Sequence, residues 1–308
     1  VANIHDIIII GGGPAGLSSG LYGSRAKLDV LIIEKGNFGG QMSTTAEVEN
    51  YPGSIENATG PSLTERMRQQ AEEFGTKFVK DEVVGVDFTG DIKVVKGKNE
   101  EYQGRTVIIA TGAEPRLAGF KNEVELRARG VSYCATCDAD FFEGLDVAVI
   151  GGGDSALTEA IYLTKFAESV TIIHRRDELR AAKSLQEKAF NNPKIKFIWN
   201  SVPVEARGEE IVEGLIIKNV KTGETSEIPV NGIFVFVGLD PITEVFRGHI
   251  EMDERGYIIT DTEMRTNVEG VFAAGDVRQK TLRQVITAAA DGAIAVIAAE
   301  EYINEKFK

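Results

Sequence analysis

The sequence predicts an α/β protein of two doubly wound, three-layer domains, the second inserted into the first. Two observations carry that prediction. Short apolar strands alternate with helical stretches along the chain. A unit of strand, three glycines, helix and strand also occurs twice, beginning its glycines at Gly11 and again at Gly151.

The elements follow in order. Ile7–Ile10 is an apolar run ending in Gly11-Gly12-Gly13, Leu17–Arg25 reads as a helix, and Val30–Ile33 reads as the next strand. Thr106–Ala110 is a buried strand closed by Thr111-Gly112. Val147–Ile150 ends in Gly151-Gly152-Gly153, with a helix at Ala156–Phe166 and a strand at Val170–Ile173. Ile233–Val237 and Val271–Ala274 are later strands. Leu282–Ile303 carries apolar residues at 285, 289, 293, 296 and 297, a helical period. No third glycine-rich turn follows Gly238, so the last stretch is expected to return and complete the first domain. The expected domains are 1–115 with 243–308, and 116–242.

The 308 residues suit two ordinary domains. With 43% hydrophobic and 26% charged residues the chain is in the globular range. Against 34 basic residues stand 47 acidic ones, a net charge of −13, which disfavours nucleic acid as a partner. Apolar runs such as Ala293–Ala299 fall well short of the ~20 residues that span a bilayer, so no membrane is expected. The N-terminal stretch has neither a basic region nor a long apolar one, and a cytoplasmic location is expected. One basic cluster stands out from the acidic background, His174-Arg175-Arg176 with Arg180 and Lys183.

Gly11-x-Gly13-x-x-Gly16 follows a strand and opens a helix. The first glycine makes the tight turn, the second lets backbone approach a pyrophosphate, and the third permits close helix–strand packing. Glu34 ends the next strand, where a carboxylate suits a ribose with a free 2′-hydroxyl. Gly151-x-Gly153-x-x-Ala156 repeats the context. His174 stands where the acid would be, followed by Arg175 and Arg176. Guanidinium forks suit a 2′-phosphate that a carboxylate would repel. The two Rossmann-type turns thus imply two dinucleotides, the second NADP rather than NAD.

The only cysteines, Cys134 and Cys137, are three residues apart and can close a disulfide on one helical turn. In a reducing compartment such a pair is redox-active or metal-binding more often than structural. The three histidines lie far off in sequence, so no metal is expected. Asp138 follows directly, either as a proton carrier for the sulfurs or as an ordinary first-turn acid.

Two such turns with Cys134-Ala135-Thr136-Cys137-Asp138 between them, and His174-Arg175-Arg176 with Arg180 after the second, resemble the low-molecular-weight thioredoxin reductases. Further matching stretches are Gly39-Gly40-Gln41-Met42, Val48 to Gly53, Ala110-Thr111-Gly112, Gly275-Asp276 and Arg283-Gln284-Val285. The resemblance implies FAD in the first domain and NADPH in the second. Gly11, Gly13, Pro14, Ala15 and Gly16 would hold the FAD pyrophosphate, Glu34 the adenosine ribose, and Asp276 the ribityl–phosphate stretch. Gly40, Gln41 and Asn50 would lie near the flavin, and Val83 near the adenine. Ala110, Thr111, Gly112, Gly275, Arg283, Gln284 and Val285 complete that cofactor set.

In the second domain, Gly151, Gly153, Asp154, Ser155 and Ala156 would hold the NADPH phosphates. Arg175, Arg176 and Arg180, beside His174, would take the 2′-phosphate. Cys137 would be the sulfur next to the flavin and Cys134 the one that attacks a partner disulfide, with Asp138 as proton carrier. Ala139 departs from the glycine that many members carry there, and alanine resists positive φ. The implied partner is thioredoxin or a similar small redox protein, with Arg127, Arg129, Phe141 and Phe142 flanking the dithiol. A homodimer is expected by the same resemblance. Nicotinamide and sulfurs must both meet the flavin, so the inserted domain is expected to rotate about hinges near 113–118 and 239–245. The competing readings are a ferredoxin-fed or peroxidase-serving flavin disulfide reductase, and a redox sensor that does not turn over.

Overall fold

A computed structural model describes residues 3–44, 48, 51–54 and 58–307. The chain divides into two compact units, Val1–Glu114 with Asp240–Lys308, and Pro115–Leu239.

In the first unit a parallel sheet runs in the order Lys77–Lys80, Val30–Glu34, Ile4–Ile10, Glu101–Ile109, with Val271–Ala273 pairing on Glu101–Ile109. Ile7 is in register with Val30 on one side and Thr106 on the other. Parallel strands covered on both faces read as unbroken apolar runs, and Ile7 to Ile10 are all buried. Ile7 and Ile9 pack with Leu17, Val296 and Ala299 from the helices Pro14–Arg25 and Val285–Phe307. Ile8 and Ile10 belong to the opposite layer, with Val86, Val95, Phe246 and Ile258. That layer includes the antiparallel strands Val83–Asp87 and Lys93–Gly97. The two helices approach closely because small residues line their contact. Ser18 and Ser19 donate to the carbonyls of Ala289 (2.7 Å) and Gly292 (3.1 Å), and a Cβ at Gly292 would collide with the Ala15 carbonyl.

The second unit repeats the plan. Its parallel sheet runs Ile195–Ile198, Ser169–Ile173, Asp146–Ile150, Gly232–Val235, Val131–Ser132. The helices Asp154–Leu163 and Lys183–Phe190 cover one face, with Val147, Val149, Leu157, Leu163 and Ala189 in one core. On the other face Ala148, Ile150 and Ile233 pack with Ala206, Leu215 and Ile217. The last three come from an antiparallel sheet of Ser201–Arg207, Gly214–Asn219 and Thr225–Pro229.

Both units are three-layered, with a parallel Rossmann-like sheet in the middle, as the glycine-marked repeat predicts. The helices begin earlier than apolar periodicity alone indicates, at Pro14 and Asp154, because the glycine turn runs straight into the first helical turn. The C-terminal helix is later than expected, Val285–Phe307 rather than Leu282–Ile303.

Candidate active site

In the first unit the N–H of Gly11 donates to the Ile33 carbonyl (2.8 Å), and the N–H of Ala110 to that of Ile10 (2.8 Å). The chain therefore turns sharply at the carboxyl ends of two neighbouring strands. Gly11 has φ +111°, and a Cβ there would collide with the Ala110 carbonyl. A Cβ at Gly16 would collide with the Gly11 carbonyl, so the third glycine is required for the close approach of helix and turn. Glu34 is committed to this turn. Its Oε2 accepts the N–H of Gly12 (2.7 Å) and its Oε1 that of Gly36 (2.7 Å). Each carboxylate oxygen retains a further lone pair for a ribose hydroxyl.

Gly275 and Asp276 sit against the same turn. A Cβ at Gly275 would stand 2.8 Å from that of Ala15. Oδ1 of Asp276 is buried without a hydrogen-bond partner. Burial pushes its carboxyl up to about 6, against the opposing pull of Lys280 and Arg283. A buried polar atom without a partner, beside a glycine cradle at a helix N-terminus, fits the polar chain and phosphates of a dinucleotide. Three residues that sequence reasoning missed hold this corner. Oδ2 of Asp291 accepts from the N–H of Gly275 (3.1 Å), from Lys280 Nζ (2.8 Å) and from Arg278 Nη1 (3.4 Å). The three side chains are 8–14% exposed, a nearly buried ion cluster. Asp291 lies on the C-terminal helix, where a lone acid carries no signal in the sequence.

Of the other residues expected in this unit, Val83 opens the strand Val83–Asp87, and Gly40 and Gln41 start the 3-10 helix Gly40–Thr44. The Arg283 guanidinium lies 4.2 Å from the centre of the Tyr257 ring, and Nε donates to the Asp276 carbonyl (3.5 Å). Gln284 and Val285 lead into the C-terminal helix. Thr111 Oγ1 donates to the Ile242 carbonyl (2.7 Å), and Ile242 N–H to the carbonyl of Gly112 (3.0 Å). Asn50 lies outside the described residues.

The second turn copies the first with altered chemistry. The N–H of Gly151 donates to the Ile173 carbonyl (3.1 Å), and the helix Asp154–Leu163 starts from Gly153. Asp154 Oδ1 accepts the N–H of Ala182 (2.7 Å), and Arg180 N–H donates to the carbonyl of Gly152 (2.8 Å). His174 is buried, 6% exposed, with its ring packed on Gly152 so that a Cβ there would overlap it. Burial and the arginines at 175, 176 and 180 push its pKa down, which favours a neutral ring. The structure thus separates His174 from its cluster. Arg175, Arg176 and Arg180 are exposed, and none makes an ion pair among the described residues. Ser155 is exposed on the first turn of the helix, and Ala156 is fully buried at the third small position.

Cys134 and Cys137 are joined as a disulfide, with Cα atoms 5.3 Å apart. Cys134 caps the short helix Ala135–Asp138, and both sulfur-bearing residues are partly exposed. Ser132 ties the turn together. Its hydroxyl oxygen accepts the Cys134 N–H (3.1 Å), and its hydroxyl donates to Asp138 Oδ2 (2.6 Å). Burial pushes the Asp138 carboxyl up, with smaller opposing effects from Ser132 and Arg127 and a further push from Asp140. A carboxyl held towards its protonated form next to a disulfide is suited to proton transfer as the sulfurs are reduced. Ala139 has φ −62°, so its replacement of glycine demands nothing unusual of the backbone. Phe141 is 47% exposed, whereas Phe142 is buried edge-on against Phe234. Arg127 lies over the Tyr133 ring, 5.1 Å from its centre. Among the described residues no helix is long and apolar enough to cross a membrane.

The family model "Pyridine nucleotide-disulphide oxidoreductase" matches residues 5–292. The chain is 59% identical to a thioredoxin reductase of Peptoclostridium acidaminophilum, over 99% of each chain. It is 48% identical to one of Streptomyces coelicolor, over 98% of this chain and 95% of the other. A crystal structure of thioredoxin reductase from Streptococcus pyogenes MGAS5005 matches with TM-score 0.92 and 47% identity, covering 99% of this chain and 100% of that one.

Proposed function

The chain belongs to the pyridine nucleotide-disulphide oxidoreductase family, and we propose a division of labour among its residues. It is an NADPH-dependent FAD flavoprotein of the thioredoxin-disulfide reductase type. The observation that carries this reading is the closed Cys134–Cys137 pair beside a half-buried Asp138 whose carboxyl is pushed up by burial, in a chain with two dinucleotide turns.

In this proposal the first unit holds FAD. Gly11, Gly13, Pro14, Ala15 and Gly16 receive the pyrophosphate, Glu34 the ribose, and the unpartnered Oδ1 of Asp276 the ribityl–phosphate stretch. Gly40, Gln41, Asn50, Val83, Ala110, Thr111, Gly112, Gly275, Arg283, Gln284 and Val285 complete the site. The second unit holds NADPH at Gly151, Gly153, Asp154, Ser155 and Ala156. The three exposed guanidiniums of Arg175, Arg176 and Arg180 take the 2′-phosphate, while His174 shapes the turn by packing on Gly152.

Bound FAD supplies the two-electron link between a hydride donor and a disulfide. Everything after that belongs to the chain's own sulfurs. Reduction opens the Cys134–Cys137 bond to two thiols. The Cys134 thiol gives up its proton by way of Asp138 and attacks as the thiolate; the partner's S–S bond breaks, a mixed disulfide forms, and the released partner thiolate takes up that proton. Cys137 then loses its proton and attacks Sγ of Cys134, which restores the intramolecular disulfide and frees the partner's second sulfur as a thiolate that takes up this proton. The partner is thioredoxin or a close relative, and the exposed Phe141 supports its docking beside the pair.

The second unit turns about 113–118 and 239–245 between the two half-reactions, because one set of sulfurs must serve both flavin and partner. A homodimer and a reducing, cytoplasmic setting belong to the same reading. Exposed Tyr22, Ile286 and Ile297 on two helices of the first unit support the dimer. The net charge of −13 argues against nucleic acid.

An NADPH-consumption assay tests the proposal. Oxidised thioredoxin should be required for turnover, and Cys134→Ser should abolish it. Turnover that survives this change would contradict the assignment of the attacking sulfur.

A further inference from the structure

Asp276 stands among cations and pairs with none of them. Its Oδ1 is buried without a hydrogen-bond partner, and its carboxylate forms no ion pair among the described residues. Lys280 lies close by. Its Nζ and the N–H of Gly275, the residue before Asp276, both donate to one oxygen, Oδ2 of Asp291 (2.8 and 3.1 Å). Burial pushes the Asp276 carboxyl up, and the charge of Lys280 is the largest effect pulling the other way. A buried ammonium needs an anionic partner, and Lys280, its side chain 8% exposed, takes Asp291. Arg278 is held at the same oxygen by Nη1 (3.4 Å), and its Nε donates to Thr260 Oγ1 (2.9 Å). The Arg283 guanidinium lies over the Tyr257 ring. Each of these cations is thus engaged away from the Asp276 carboxylate.

An ion pair would close that carboxylate to a ligand. In low-dielectric surroundings an ammonium binds a carboxylate more strongly than a neutral hydroxyl does, because Coulomb attraction adds to the hydrogen bond. Asp291 offers Lys280 a different carboxylate, one that also pins the Gly275 turn. We propose that Asp291 is a positioning residue for FAD, which draws Lys280 to itself and so keeps Asp276 open for the hydroxyls of the ribityl chain. Its place on the helix Val285–Phe307 suits that task. The next residue, Gly292, lies so close to the Ala15 carbonyl of the glycine turn that a Cβ there would collide with it. One stretch of helix therefore braces both the glycine turn and the Gly275–Asp276 turn. The inference rests on reading Asp276 as the acceptor for the FAD ribityl chain.

The test measures FAD dissociation from the FAD-loaded full chain, by the fluorescence of cofactor released on dilution, with melting temperature as a control for folding. Asp291→Asn keeps an oxygen for the Gly275 N–H but gives up the charge, and FAD affinity should fall about tenfold. Two double variants restore the net charge of the cluster, and they decide the matter if the single variant does not fold. Asp291→Asn with Lys280→Met removes the freed ammonium, and its affinity should return to within about threefold of the unsubstituted enzyme. Asp291→Asn with Arg278→Met leaves Lys280 free and should stay about tenfold weak. Equal affinities of the two double variants, or an undiminished affinity of Asp291→Asn, overturn the role of Asp291. An Asp276→Asn enzyme that holds FAD as tightly as the unsubstituted one would instead fault the underlying reading of Asp276.

Discussion

The N–H of Gly12 donates to Oε2 of Glu34 at 2.7 Å, and 140 residues later the corresponding pair is Gly152 beneath the ring of His174. The two turns share a backbone path, so the side chain facing the middle glycine differs while the cradle stays the same. In the first unit it is a carboxylate, which repels a 2′-phosphate. In the second it is an imidazole whose ionisation is suppressed, and the three neighbouring arginines are exposed.

Replacing Arg175 and Arg176 with alanine should therefore change cofactor choice rather than the dithiol chemistry. Each charge-assisted contact is worth about 1.5–3 kcal/mol, so kcat/KM for NADPH should fall at least tenfold while that for NADH changes little. Steady-state kinetics with both cofactors measure this. An unchanged ratio would mean that the pair does not read the phosphate.

Cys137→Ser should separate the two halves of the reaction. NADPH should still reduce the flavin, whereas the thioredoxin disulfide should no longer be reduced. Stopped-flow absorbance of the flavin, with and without thioredoxin, checks both statements. Residual thioredoxin reduction above a few percent would contradict the disulfide relay.

Asp276 links the cofactor site to stability. Its carboxyl is raised to about 6 by burial. The folded apoprotein therefore binds a proton that the unfolded chain has released between the ordinary aspartate pKa and about 6, so this group destabilises the fold as pH rises through that window. Asp276→Asn should stabilise the apoprotein at pH 7.5, by up to about 3 kcal/mol, with the gain disappearing near pH 4. It should weaken FAD binding at the same time. Denaturant melts of both apoproteins at the two pH values test the sign.

The Asp291 cluster should behave as a coupled unit. Lys280→Met leaves part of a buried carboxylate uncompensated and should cost about 3 kcal/mol. A double-mutant cycle with Asp291→Asn should give a coupling above roughly 1 kcal/mol. Additive losses would show that the ion pair does not brace the Gly275 turn.

Much of the fold was legible because the signals are local. Gly11, Gly16 and Gly151 each stand where a side chain would strike backbone or a small packed residue, and the Cys134–Cys137 spacing is that of one turn. The apolar runs at Ile7–Ile10 and Val147–Ile150 announce strands buried on both faces. The supporting residues were not legible for the same reason. Asp291 meets Gly275 from sixteen residues away. In the sequence His174 groups with the arginines expected to take the 2′-phosphate, because they are its neighbours. The strand Ser169–Ile173 that precedes it carries it inward, while the chain after it stays at the surface. The antiparallel sheet of 201–229 has mixed exposure and little apolar periodicity to mark it.

The relay from NADPH through flavin and Cys134–Cys137 to thioredoxin is tested most directly by one anaerobic titration. NADPH is added stepwise to the purified FAD enzyme, followed by oxidised thioredoxin, while the flavin absorbance is recorded. The account predicts loss of the oxidised flavin band with NADPH and its recovery with thioredoxin, in step with the appearance of thioredoxin thiols. A flavin that NADPH leaves oxidised, or one that thioredoxin fails to reoxidise, would contradict it.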